Sequence, residues 1–316
     1  MKRILKILGV LLGVIVLAIA GIAAWVSFSD MQVYPVQSLP VNLSVDSASL
    51  ARGKSMVENT CAHCHRGEDG KLSGRLFSTE SEGFGDVWSP NITNHPTLGL
   101  GRYQDGEIAY LLRTGVKRDG KLAGPFMQFP NLSDEDVAAV IAYLRSDAPS
   151  VQASEAKHVS KYSFLAKALY KLGVFKPMPY EGKPIATPPK ADQIAYGRYL
   201  AVAVYECYSC HSASFETNNV LEPEKSPGFF AGGNPIADHD FNHTPSRNIT
   251  PHPEDGIGKW TLDQFQLAVR AGARPDGAIL SHAMPRLALS EEEMNAIWAY
   301  LRTVPALPTT VAASGK

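Results

Sequence analysis

The sequence is poor in charge and in cysteine. Charged residues make up 19% of its 316 positions against 45% apolar ones, and the formal net charge is −1. That balance belongs to a globular chain rather than a disordered one. Beyond the N-terminus there is no Lys/Arg run and no basic stripe, so nucleic acid is excluded as the expected partner. There are four cysteines. None comes after the N-terminal apolar run at its end, which excludes a lipid-modified cysteine there. A βαβ pattern, the setting of a thioredoxin-like dithiol, is also missing. Glycine and proline, by contrast, are plentiful at 26 and 22 residues, as expected where short helices are joined by long irregular loops.

The first stretch with a definite reading is N-terminal. Lys2, Arg3 and Lys6 precede an uncharged run from Ile7 to Val26, long enough to cross a bilayer as a helix. The basic flank predicts that this end stays in the cytoplasm and that everything after Asp30 is exported. Residues 1–30 are therefore expected to be a membrane anchor, with a cleaved signal segment as the alternative. Residues 31–45 carry no strong period and are expected to tether that segment to the first folded domain.

All four cysteines fall into two copies of one pentapeptide, Cys61-Ala62-His63-Cys64-His65 and Cys207-Tyr208-Ser209-Cys210-His211. The pattern C-x-x-C-H is the attachment signature of a c-type haem. Two thiols add across the vinyl groups, and the next imidazole, His65 or His211, is offered to the iron as proximal ligand. A zinc ribbon would space its cysteine pairs much more closely. His63, inside the first motif, drops out as a ligand, since Ser209 takes its place in the second. The expected cofactors are two covalently bound haem c groups.

The chain also matches itself outside these motifs. Asn91-Ile92-Thr93-x-His95-Pro96 returns as Asn248-Ile249-Thr250-x-His252-Pro253, Arg113-x-Gly115 as Arg270-x-Gly272, and Ala142-Tyr143-Leu144-Arg145 as Ala299-Tyr300-Leu301-Arg302, all at an offset of 157. Met127 returns as Met284 at the same offset, each in a proline-flanked loop. A loop methionine between the motif and the last helix suits a low-spin His/Met iron and a raised potential, so Met127 and Met284 are the candidate sixth ligands. Met294 fits an apolar stripe with Ile297, Trp298 and Leu301 and is expected to be core. The haem motifs themselves are offset by 146, leaving 11 extra residues in the second copy.

These boundaries predict an all-α chain: one domain over 46–149, a proline-rich linker over 150–190, a second domain over 191–306 and a tail over 307–316. In the first domain, Asp46 or Ser47 caps a helix leading into Cys61, Gly115 ends a helix around Glu107–Leu112, and Ser133 with Asp136 forms a capping box. The helix it opens should pack on the one before Cys61. Phe164, Leu165, Ala168, Leu169 and Leu172 predict a short amphipathic helix in the linker, which is expected to lie against a domain. The added loop of the second half holds Phe229-Phe230, expected to be exposed, and Asp238-His239-Asp240 with His243, expected to be solvated, with a metal site as alternative.

Each half resembles a class I cytochrome c. The region 46–305 is similar to the cytochrome c subunits of bacterial membrane-bound dehydrogenases for alcohols, gluconate and aldehydes, through the Ser-x-Asn-Ile-Thr-x-His-Pro segments, the Gly258-Lys259-Trp260-Thr261 turn, the methionine loops and the Ala-Tyr-Leu-Arg helix ends. The best-known members carry three haem domains; this chain has two. The resemblance implies a periplasmic electron carrier, without a substrate of its own, between a dehydrogenase and quinone or a terminal oxidase. A dihaem c-type peroxidase is the alternative; it needs one iron with an open coordination position, and the matching methionine loops argue against that asymmetry.

Overall fold

The computed structural model describes residues 2–309; the last part of the expected tail, residues 310–316, lies outside the described residues. The N-terminal apolar segment is one continuous helix, α1 (Lys2–Phe28), with most of its side chains facing outward. Residues 31–45 run extended along the first half. Tyr34 N–H donates to Gly120 O (2.8 Å) and Leu39 N–H to Gly106 O (3.1 Å), and Leu39, Val41 and Leu43 pack on the core.

Two helix pairs then organise the chain. In the first, α2 (Ser47–Met56) crosses α5 (Asp134–Leu144). Asp46 caps α2 by accepting from Ser49 N–H at 2.8 Å. Ser133 caps α5 by accepting from Asp136 N–H at 3.1 Å, but the reciprocal arm of the expected capping box is absent because the Asp136 carboxylate turns to Arg52 instead. The crossing is close because Gly53 has no side chain: a Cβ there would stand 2.0 Å from Ala139 O. In the second pair, α7 (Gln193–Tyr199) crosses α10 (Glu291–Leu301), and a Cβ on Gly197 would stand 1.8 Å from Ala296 O. Val137, Val140, Ile141 and Leu144 are buried along α5, and Met294, Ile297 and Leu301 along α10.

Each pair is buttressed by a further helix. α4 (Asp105–Thr114) packs on α5 and α9 (Leu262–Ala271) on α10. Both end in a left-handed glycine, Gly115 (φ 78°) and Gly272 (φ 73°), a conformation glycine adopts without Cβ strain. The short helices α3 (Ala62–His65) and α8 (Cys207–His211) carry the two pentapeptides, and α6 (Phe164–Lys171) lies in the linker. The buried apolar side chains of both halves form one continuous cluster.

The molecule is helix-rich, but the all-α expectation needs amending. The loop after the first pentapeptide forms β1 (Leu76–Ser78) and β2 (Gly85–Trp88), and the linker adds β3 (Lys161–Tyr162), all antiparallel in the order β1-β2-β3. The added loop of the second half forms a hairpin of β4 (Pro235–Ala237) and β5 (His243–Pro245). These pairings join segments too short to show a period-2 pattern, and β3 meets β2 only through long-range contact.

The glycine crossing gives a direct expectation. Gly197→Ala forces a methyl into the Ala296 carbonyl and should lower stability by about 1–3 kcal/mol, read as a fall in the chemical denaturation midpoint. An unchanged midpoint would show that the two helices separate freely.

Candidate functional site

Each pentapeptide hangs from the end of its crossing helix. α2 passes through a π-helical turn (Val57–Cys61) into α3, and α7 through another (Leu200–Val204) toward α8. Such turns break the regular ladder and are frequent at functional sites. The second copy has two more residues between its crossing glycine and first cysteine. Part of that slack is taken up at Glu206, whose φ of 46° is left-handed.

The imidazoles are oriented alike. His65 is buried, and its Nδ1 lies 2.9 Å from Pro90 O; His211 Nδ1 lies 2.6 Å from Arg247 O. A backbone carbonyl can only accept, so Nδ1 carries the proton and Nε2 is left with a lone pair, the form a metal-binding histidine takes. Burial lowers the pKa of both rings, the carbonyls opposing it. Pro90 and Arg247 are equivalent positions of the repeated Ser-x-Asn-Ile-Thr segment, whose task is thereby explained. Asn91 and Asn248 hold that segment folded, each accepting from the N–H and hydroxyl of the threonine two residues on. His95 Nδ1 accepts from Leu98 N–H (2.9 Å) and His252 Nδ1 from Asp255 N–H (3.1 Å), so these two histidines serve the turn.

The four thiols share one electrostatic setting. Burial, reinforced by the neighbouring Cys64, pushes Cys61 up to about 12, and burial pushes Cys64 up to about 11. Cys207 and Cys210 are likewise pushed up to about 12, chiefly by burial. Among the described residues no cluster of three or more metal-donor side chains is assembled. By the C-x-x-C-H pattern, the residues that would hold a haem are Cys61, Cys64 and His65 in one half, and Cys207, Cys210 and His211 in the other.

Met127 and Met284 occupy equivalent half-buried turns, their N–H groups donating to Gly124 O (3.4 Å) and Ser281 O (3.1 Å). Beside the first, Phe126 packs against Phe77 of β1 (5.4 Å between ring centroids) and meets Phe215, shortly after the second pentapeptide, edge-on at 5.5 Å.

The segments leading into the two pentapeptides also come together, which their separation in sequence does not reveal. Thr60 Oγ1 donates to Val204 O at 3.3 Å, and Cys64 lies close enough to Cys210 to raise its pKa further. The rings of His63 and His239 stand 5.6 Å apart. Behind them lies an ion network. Arg52 Nε and Nη2 donate to the two oxygens of Asp136 (2.8 and 2.7 Å), while Nη1 donates to Glu293 Oε1 at 2.7 Å. Tyr199 OH donates to Asp136 (2.6 Å) and Tyr205 OH to Glu293 (2.7 Å). Asp136 and Glu293 are 3% and 5% exposed. Neither acid had a functional reading in sequence; their offset of 157 was the available signal.

Two expectations for the added loop meet different fates. Phe229 and Phe230 are buried, not exposed, at 7% and 0%. Phe230 packs edge-on against Tyr300 and Phe229 against Tyr208, because the loop folds back over the end of α10. His243 reaches across to Glu82 of the first half at 3.0 Å.

The sequence is similar to those of known proteins. The cytochrome c family model matches residues 50–147. The chain is 30% identical over 292 residues to the fructose dehydrogenase cytochrome subunit of Gluconobacter japonicus, covering 88% of this chain and 57% of that one. It is 26% identical over 279 residues to the cytochrome c subunit of alcohol dehydrogenase (quinone) of Gluconacetobacter polyoxogenes, covering 83% and 57%. A diheme cytochrome c-type protein of Cereibacter sphaeroides is 26% identical over 286 residues, covering 86% and 92%. The chain thus spans little more than half the length of the two dehydrogenase subunits and nearly all of the third protein.

The ion network and the half-buried Glu206 beside the second pentapeptide can each be tested. Arg52→Met leaves two buried carboxylates without their cation and should cost about 3–5 kcal/mol, measured by denaturation; adding Asp136→Asn and Glu293→Gln should recover part of it, and no recovery would mean that packing rather than charge was lost. Burial also pushes the Glu206 carboxyl up to about 8. The stability contributed by its proton is complete below the unfolded value of about 4.3 and is lost as pH rises through the folded one. Glu206→Gln should therefore flatten the decline in stability over that window, and an unaltered pH profile would exclude it.

Proposed function

On the premise that this chain carries a cytochrome c domain, we propose that it is a membrane-anchored dihaem electron carrier built from two such domains, 46–149 and 191–306. The observation that carries the reading is the duplicated histidine geometry: two C-x-x-C-H helices, each with its imidazole Nδ1 fixed to the same carbonyl of the same repeated segment. The bound haems would supply one-electron iron chemistry. The chain's own residues would attach them through Cys61, Cys64, Cys207 and Cys210, would ligate iron through His65 and His211, and would offer Met127 and Met284 from equivalent loops as the further ligands.

The contact between the turns that precede the two pentapeptides supports transfer between the two centres inside one packed unit. The Arg52 network holds that unit together at a defined geometry. The donor is proposed to be a dehydrogenase subunit, as the names of the relatives suggest, and the acceptor quinone or a terminal oxidase. α1, with a mean hydropathy of 2.9 in its most apolar window, is proposed to span the cytoplasmic membrane. Its basic start supports the reading that the haem domains lie on the periplasmic side. The peroxidase alternative gains no support: the two methionine loops are alike, and none of the relatives above is named a peroxidase.

A pyridine haemochrome assay should find two haems per chain, and redox titration two midpoints. Met127→Ala and Met284→Ala should each abolish one methionine-to-iron charge-transfer band and lower one potential. High-spin iron at one centre of the unmodified protein, with peroxide turnover, would overturn the carrier reading.

A further inference from the structure

α6 presents its apolar face outward. Phe164, Leu165 and Leu172 are 53%, 51% and 65% exposed, and Val174 just beyond is 61% exposed, while Ala166 and Tyr170 on the other face are 1% and 8% exposed. At 100° per residue, positions 164, 165, 168, 169 and 172 form one stripe. Lys167 and Lys171 border that stripe, and Lys161 and Lys176 flank the helix in sequence.

The place of this face in the fold says what covers it. α6 packs against the end of α1. Lys171 Nζ lies within hydrogen-bond distance of Trp25 O (3.0 Å), Val26 O (3.0 Å) and Ser29 O (2.5 Å), carbonyls at and just beyond the end of α1. It also stands 5.6 Å over the Trp25 ring. The uncharged run Ile7–Val26 rises about 30 Å as a helix, the thickness of the hydrocarbon core. Its outer boundary therefore falls at Trp25 and Val26, where Lys171 is bound and where a tryptophan suits the interface. A helix tied to that level by its own lysine lies at the headgroups.

We propose that α6 is an interfacial helix. Phe164, Leu165, Leu172 and Val174 enter the upper acyl region of the outer leaflet, and Lys161, Lys167 and Lys176 meet anionic phospholipid headgroups. With α1 it forms a two-point mount that fixes the tilt of the haem domains over the membrane, which a single helix and a flexible connection would leave free. The inference rests on the reading of α1 as a membrane span.

The test uses the full-length haem-loaded protein in nanodiscs of phosphatidylglycerol and phosphatidylethanolamine. Single variants Leu165→Cys, Leu172→Cys, Leu12→Cys in α1 and Leu267→Cys on exposed α9 are reacted with a charged, membrane-impermeant maleimide. All four positions are exposed on the protein surface, so the substitutions leave the core intact. The expected result is that the thiols at 165 and 172 react at least about 10-fold more slowly than that at 267, with 12 unreactive. If 165 and 172 react as fast as 267 while 12 stays blocked, α6 is not in the bilayer although α1 is. If 12 also reacts freely, the membrane reading of α1 falls, and this inference with it.

Discussion

A single guanidinium ties the crossing helices of the two halves together, over an apolar core that both halves share. Arg52 leaves α2, takes both oxygens of Asp136 on α5, and still reaches Glu293 on α10. The tyrosines of the second half complete the arrangement, Tyr199 on Asp136 and Tyr205 on Glu293. Taking two carboxylates out of water is costly, and a planar cation that satisfies both offsets much of the cost. Such an ion cluster adds less to stability than to specificity: few other dockings of the halves would leave these three charges paired.

That docking in turn sets what the site can do. The π turns before the pentapeptides meet at Thr60 and Val204, so the attachment points share one interface rather than facing away from each other. Electron transfer through a protein depends steeply on separation, and a rigid joint keeps separation constant where a loose linker would not. The rest of the linker is consistent with such a joint. β3 pairs with β2, and Ser163 N–H donates to Phe84 O at 2.9 Å, so the chain between the halves is pinned along the first.

The parts of the site that were legible in sequence are the local ones. The pentapeptides, the caps at Asp46 and Ser133, the glycine stop at Gly115 and the helical stripes each depend on residues within one or two turns of one another. The duplicated Asn-Ile-Thr segment was visible as a pattern, but its purpose, to aim His65 and His211 through the carbonyls of Pro90 and Arg247, needed coordinates. Phe229 and Phe230 show the opposite failing. Their glycine-rich surroundings suggested a surface loop, whereas the loop closes on Tyr208 and Tyr300 and buries both rings. In α6 the periodicity was correct and its customary meaning was not, because the apolar stripe faces outward.

The sequence alone therefore determined where the two C-x-x-C-H pentapeptides lie, that the arrangement occurs twice, and where most helices start and stop, since each depends on residue spacing or on hydrogen bonds between near neighbours. Only the tertiary structure decided how the two copies face each other, which acids Arg52 binds, and which way α6 turns its apolar face. Those outcomes come from burial and charge pairing between residues tens to hundreds of positions apart, and no local pattern records them.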